Sequence, residues 1–260
     1  VTEVFEDTGV IMNVSNIIDM SWLETLKNKE HIRSVIYTWQ GGVEAGGASA
    51  DVLVGAVVPS GKLPDTIAYD MKDYPSTANF GSQEKNLYQE DIYVGYRYFE
   101  TFAPKCVQFP FGFGLSYTDF SMEVKKAQVL GNSVEASVEL QIEVKNTGVQ
   151  YAGKEVVQIY YEAPQGKLGK PARALVAFAK TDLLQPGEIQ VLTLHFPVSS
   201  MASYNDCGST GHKSCYVLEP GLYKIYAGND VRTAKQVFLQ EQEGIEISNC
   251  MVTEILQEAL

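Results

Sequence analysis

The sequence predicts an α/β layer over residues 1–118, a partial α/β sandwich with a mostly parallel sheet. An all-β immunoglobulin-like sandwich follows over 119–243, and a helical linker over 244–260. Three observations carry this division. Early apolar runs are separated by helical stretches and a glycine cluster, the pattern of strand–helix–strand units. After Ser121 the apolar positions change to a two-residue period. Turn pairs such as Pro186-Gly187 and Pro220-Gly221 then recur between short β-rich runs.

In order, Val10 to Val14 reads as a buried strand, and Trp22, Leu23 and Leu26 mark a helix that ends in the polar run Lys27 to Glu30. Ser34 to Trp39 is the next strand. It runs into Gly41, Gly42, Gly46 and Gly47, where the chain turns into a helix through Ala48 to Val54 that PSGKLP terminates. Glu44 stands at that helix's start, where a negative charge complements the dipole. The glycine spacing matches neither GxGxxG nor GxxxxGK[ST], so the segment reads as a strand–turn–helix joint rather than a phosphate cradle. Strand, helix, strand and helix at this spacing imply parallel pairing.

Between 65 and 120 aromatic residues become dense. Tyr93 to Phe99 reads as an extended segment lying across the α/β layer, with Arg97 placed to pair with Glu90 or Asp91. Beyond Ser121, Val134, Ala136, Val138, Leu140, Ile142 and Val144 alternate with polar residues, describing a half-buried strand. Val156–Tyr161, Leu175–Phe178, Gln190–Phe196, Tyr216–Leu218, Tyr223–Ala227 and Lys235–Leu239 add further strands, about seven in all, as a sandwich requires. Ile255, Leu256, Ala259 and Leu260 recur at helical spacing, so the tail reads as an amphipathic helix.

The chain has 260 residues, 45% hydrophobic, and a net charge of −12. Such an acidic balance argues against nucleic acid or an anionic membrane as a partner. Cys106, Cys207, Cys215 and Cys250 are too scattered for a disulfide framework and read as reduced thiols of a cytoplasmic protein. His31 has no other His or Cys within 60 residues and reads as a surface or helix-end residue. Cys207, His212 and Cys215 share one loop but lack a CxxC pair, so no metal or cofactor is expected.

Trp39–Gly46 (WQGGVEAG), Ala50–Gly55 (ADVLVG) and Pro59–Pro64 (PSGKLP) together resemble glycoside hydrolase family 3 of the β-glucosidase type. Glu90–Phe99 (EDIYVGYRYF) and Phe109–Thr118 (FPFGFGLSYT) resemble that family's next two signatures, in the family's order. Val58 stands where the family usually has Asn before Pro-Ser-Gly. Leu184–Glu188 and Leu218–Tyr223 resemble the fibronectin III-like domain that follows the α/β domain in many members. Val252–Leu260 is similar to the link to a following barrel in members with permuted domain order.

The resemblance implies exo-acting, retaining hydrolysis of β-glucosides or oligosaccharides. In the family the nucleophile is an Asp on a (β/α)₈ barrel, and the acid/base Glu lies upstream of the Val10–Val14 strand. No residue here matches either; Glu3, Glu6 and Asp7 lack the acid/base pattern. Both catalytic carboxylates are therefore expected outside this chain, which by itself should be inactive. Trp39 is the candidate substrate-binding residue, because its strand end faces the usual ligand edge of an open α/β sheet. Surface meant for the missing strands and barrel could also drive self-association. Two alternatives are a non-catalytic carbohydrate-binding or interaction module and a nucleotide-binding α/β protein. The glycine spacing and acidic charge disfavour the latter, while a barrel bearing the Asp elsewhere in the reading frame separates enzyme from module. Purified protein is expected to carry no stoichiometric zinc; metal analysis that finds it, with loss on Cys207→Ser, would overturn the reading of that loop.

Overall fold

The computed structural model describes residues 1–132 and 135–256. β1 (Thr8–Met12) and β2 (Ile32–Tyr37) form a parallel pair. Parallel strands need a crossover rather than a hairpin, and here it carries α1 (Trp22–Thr25) and a 3₁₀ turn ending at His31. Thr38 extends the ladder, donating its N–H and its hydroxyl to the Met12 carbonyl at 3.0 and 3.1 Å. α2 (Ala45–Leu53) then opens with Glu44 at its N-cap, and none of its residues is buried. β3 (Ile67–Ala68) pairs antiparallel with β4 (Val107–Phe109), a separate two-stranded sheet.

The aromatic segment departs from the sequence expectation. Instead of running extended, Tyr96–Phe102 forms the helix α3. Gly95, at φ 59°, turns the chain into it. Tyr96 and Phe99, three residues apart, then share one face and bury. Tyr96 stacks on Phe111 with centroids 4.5 Å apart, and its hydroxyl accepts from the Leu175 N–H at 2.8 Å. Arg97 is not paired with Glu90 or Asp91 among the described residues. Its charge acts on Tyr161, whose phenol burial pushes up and Arg97 partly offsets.

The remaining strands are β5 (Phe120–Leu130), β6 (Ser137–Asn146), β7 (Val156–Glu162), β8 (Ala174–Lys180), β9 (Ile189–Pro197) and β10 (Ser203–Asn205). After them come β11 (Cys215–Leu218), β12 (Gly221–Gly228), β13 (Lys235–Val237), β14 (Ile245–Ile247) and β15 (Met251–Ile255). One antiparallel sheet has the order β5-β6-β9; the facing sheet runs β13-β12-β7-β8, with β14 on β12. Their inner faces make one core that includes Val138, Leu140, Ile142 and Val144 of β6 and Val157, Ile159 and Ile225 opposite. The alternation along β6 is as the sequence reads; Val134 lies outside the described residues. Each such aliphatic side chain gains roughly 1.5–3 kcal/mol of transfer free energy on burial.

The helical linker expected over 244–260 is corrected as far as residue 256: β14 and β15 are strands. β15 pairs antiparallel with β11, matching Cys215 to Ile255 and Leu218 to Met251. An open strand edge with unpaired backbone groups is a stronger claim on this segment than its helical spacing. Residues 257–260, including Ala259 and Leu260, lie outside the described residues.

A buried ion pair joins the two parts of the molecule. Lys62 Nζ lies 2.8 Å from Glu155 Oε1, with side chains 12% and 8% exposed. A second pair, Lys170 with Glu219, is buried within the sandwich loops. Glu219 also accepts from the N–H groups of Lys167 and Leu168 at 2.7 and 3.1 Å, which fixes the 164–170 loop. Burial alone would raise the Glu219 pKa, but the Lys170 and backbone donors outweigh it and leave it lowered. A depressed folded-state pKa means that the unfolded chain binds the proton more tightly. The resulting stability is present above the ordinary carboxylate pKa and lost as pH falls through the folded-state value. Glu219→Gln, which strands Lys170 without its carboxylate, is expected to cost about 3–5 kcal/mol at neutral pH. Urea unfolding at pH 7 and at pH 3 should show the gap between wild type and variant narrowing in acid.

Candidate functional site

At the C-terminal ends of β1 and β2 the chain builds a small polar and aromatic edge. Tyr37 ends β2, and Trp39 two residues on brings its ring back beside it, with ring centroids 4.5 Å apart. Trp39 adopts φ 53°, a conformation uncommon outside glycine, at the point where the chain leaves the sheet. Its ring is half-buried, leaving part of its surface accessible. The Tyr37 hydroxyl donates to the Asn16 carbonyl at 2.6 Å, tying the loop after β1 to the same edge.

Asp65, immediately after the Pro59–Pro64 turn, is the nearby charge. Burial raises the Tyr37 phenol and the Asp65 charge adds to it; the same carboxylate acts on Tyr74. Crowding by the neighbouring segment raises the Asp65 pKa, although the residue is exposed and that exposure limits the effect. Tyr74 donates to the Thr66 carbonyl and accepts from the Ala68 N–H, at 2.8 and 2.9 Å, and so holds the strand that follows Asp65.

An aromatic pair beside a carboxylate suits a hydroxylated ring: the indole face covers C–H groups and the carboxylate accepts from hydroxyls. Trp39 is the residue that sequence reasoning selects; Tyr37 and Asp65 are the ones it missed. Tyr37 was recoverable because it stands two residues before Trp39 in the strand read from Ser34 to Trp39. Asp65 was not, because 25 residues of helix and turn separate it from Trp39. Glu44 stays at the α2 N-cap, and the Glu90 carbonyl closes a turn by accepting from the Tyr93 N–H at 2.7 Å. The Cys207 loop is organised by Asn205, whose side chain accepts from the Gly208 and Ser209 N–H groups at 3.0 and 3.2 Å. Cys207 is exposed and Cys215 buried.

Residues 1–96 match the glycosyl hydrolase family 3 C-terminal domain, and residues 155–231 match the fibronectin type III-like domain. This chain belongs to glycoside hydrolase family 3. A β-glucosidase of Ruminococcus albus is 46% identical over 98% of the chain, which spans 25% of that relative. A solved β-glucosidase from Paenibacillus barengoltzii superposes with TM-score 0.96 and 58% identity, covering 99% of this chain and 28% of that one. A Kluyveromyces marxianus β-glucosidase solved in complex with glucose gives TM-score 0.83 at 29% identity, over 98% of this chain and 28% of that one. The chain thus spans about a quarter of the length of the family 3 relatives it matches. Among the described residues no helix is long and apolar enough to cross a membrane.

The glycine turn beside Trp39 has one position without room. A Cβ on Gly41 would meet the Ala45 Cβ at 2.7 Å, whereas a Cβ on Gly46 meets nothing within 4 Å. Gly41→Ala is therefore expected to destabilise by about 1–3 kcal/mol. Gly46→Ala, inside α2, is expected to stabilise by about 0.5–1 kcal/mol. Thermal unfolding of the two variants checks the opposite signs.

Proposed function

We propose that this chain forms the α/β and fibronectin III-like part of a β-glucosidase-type glycosidase, exo-acting and retaining, whose two catalytic carboxylates lie outside these 260 residues. The observation that carries the reading is the 58% identical β-glucosidase whose fold this chain follows over 99% of its length. Retaining hydrolysis requires a nucleophile and an acid/base about 5 Å apart. Of the acidic residues next to the family signatures, Glu44 stands at the N-cap of α2 without a side-chain capping bond, and Glu90 contributes its backbone carbonyl to a turn. Asp65 stands beside aromatic rings rather than a second carboxylate. In this reading the substrate, a β-glucoside or oligosaccharide, is cleaved on a barrel, and the Trp39 edge contributes an aromatic wall to its binding. No cofactor takes part.

The exposed Val43, Leu53, Val54 and Val57 around α2 support a further part of the reading. They belong to surface that the remaining strands and barrel would cover, and that would favour self-association in their absence. Four unpaired cysteines support a reducing, cytoplasmic setting.

The test is hydrolysis of an aryl β-glucoside by the 260-residue chain and by the protein that includes the barrel. The chain alone is expected to show no turnover, with Glu44→Gln and Glu90→Gln as controls; activity abolished by either would place a catalytic carboxylate here. The longer protein is expected to turn the glucoside over, and Trp39→Ala in it to lower kcat/KM by roughly three- to tenfold, the scale of one lost ring contact. An inactive longer protein would favour the binding-module reading.

A further inference from the structure

A second concave region lies away from the Trp39 edge, where the end of α3 meets the sandwich loops. Its volume is about 730 Å³, and its lining includes Glu100, Lys105, Glu162, Arg173 and Arg232. Volumes of this order suit a small ligand. The lining joins both parts of the chain: Glu100 and Lys105 come from α3 and the turn after it, and the other three from the sandwich.

The charges in this cleft are unevenly partnered. Glu100 Oε1 accepts from Arg232 Nε at 2.9 Å, and Arg232 Nη2 also donates to the Pro104 carbonyl at 2.6 Å. Glu162 accepts from the Tyr226 hydroxyl at 2.7 Å and has Lys224 at 3.9 Å. Arg173 is held differently. Its Nη1 donates to the Val231 and Ala234 carbonyls at 2.6 and 3.3 Å, and its guanidinium carbon lies 4.0 Å over the Tyr226 ring. Those partners orient the group without neutralising it. Lys105 is exposed and has no ion-pair partner among the described residues. Two cations without a carboxylate thus face one cleft on a chain of net charge −12. An internal packing role for Arg173 accounts for its carbonyls and its ring, but not for Lys105 on the lining of the same cleft.

We propose that this cleft binds a small polyhydroxylated anion, its carboxylate or phosphate on Arg173 and Lys105 and its hydroxyls toward Glu100 and Glu162. A guanidinium fork fixed by backbone carbonyls is pre-organised for an oxyanion, and a mobile ammonium completes the charge. Rim carboxylates that accept hydroxyls favour a sugar-like body over a bare ion. Because the ligand bridges the two parts of the chain, binding stabilises their junction. The proposal does not depend on the glycosidase reading and needs no turnover to be tested.

The experiment is calorimetric titration and thermal unfolding of the full 260-residue chain with glucose 6-phosphate, glucuronate and glucose. At least one of the two anions is expected to bind and raise Tm, with glucose weaker by roughly tenfold or more, and added salt to weaken the binding. Comparing the anions distinguishes phosphate from carboxylate. Lys105→Glu, at an exposed position, is expected to leave the unliganded Tm unchanged and weaken the anion by roughly tenfold. Arg173→Gln should abolish binding; should that variant fail to fold, Lys105→Glu decides alone. Absence of binding by both anions, equal binding of glucose, or unaltered affinity in Lys105→Glu would each overturn the proposal.

Discussion

The ion pair between Lys62 and Glu155 is the constraint on which the arrangement of the molecule depends. Two charges taken out of water are costly unless each gains close partners. Lys62 also donates to the Gly114 carbonyl at 3.1 Å, while Glu155 accepts from the Val156 N–H at 2.7 Å and the Asn229 amide at 3.3 Å. These bonds can all form only when the Pro59–Pro64 turn, the Gly112–Gly114 segment and the start of β7 stand together. The Leu63 N–H donates to the Phe113 carbonyl, and Lys180 reaches the Ser60 carbonyl from β8. Burial, the Lys154 charge and then Lys62 lower the Lys180 pKa against the opposing pull of Glu155. Ser60, Lys62 and Leu63 of the PSGKLP motif thus serve as a joint between the two parts of the chain.

The parts of the fold that were legible in the sequence are those where one strand face meets water and the other meets the core. β6 reads directly, since Val138, Leu140, Ile142 and Val144 bury in strict alternation. β5 gives no comparable signal, because its register shifts between Val124 and Lys126 and breaks the two-residue period. Tyr96 and its neighbours carry strand-favouring side chains. Their packing against Phe111 and Leu175 is decided by tertiary contacts invisible in the local pattern. β15 is similar: its partner strand lies far back along the chain, so helical spacing and strand pairing competed and the long-range edge prevailed.

Of the candidate site, the strand end and its tryptophan were legible because local chemistry alone places them. The neighbours that give the edge its charge come from elsewhere along the chain, and no spacing rule links Asp65 to Tyr37. The second cleft shows the same limit more fully. Its lining runs from Glu100 to Arg232, and its charge imbalance follows only from knowing which partners each group already has. The family signatures, by contrast, are contiguous, and so membership was readable where geometry was not.

The pairing of β15 with β11 has a consequence for biosynthesis. β11 is flanked by β10 and β15, and β15 is the last strand described. While the chain is being made, Cys215 to Leu218 leave the ribosome before Met251 to Ile255, so one side of β11 is exposed with its backbone donors unsatisfied. Translation at about 5–20 residues per second leaves that edge open for seconds. The nascent sandwich therefore passes through a stage in which a neighbouring nascent chain can offer a substitute strand, and a pause in translation between β11 and β15 would prolong that exposure.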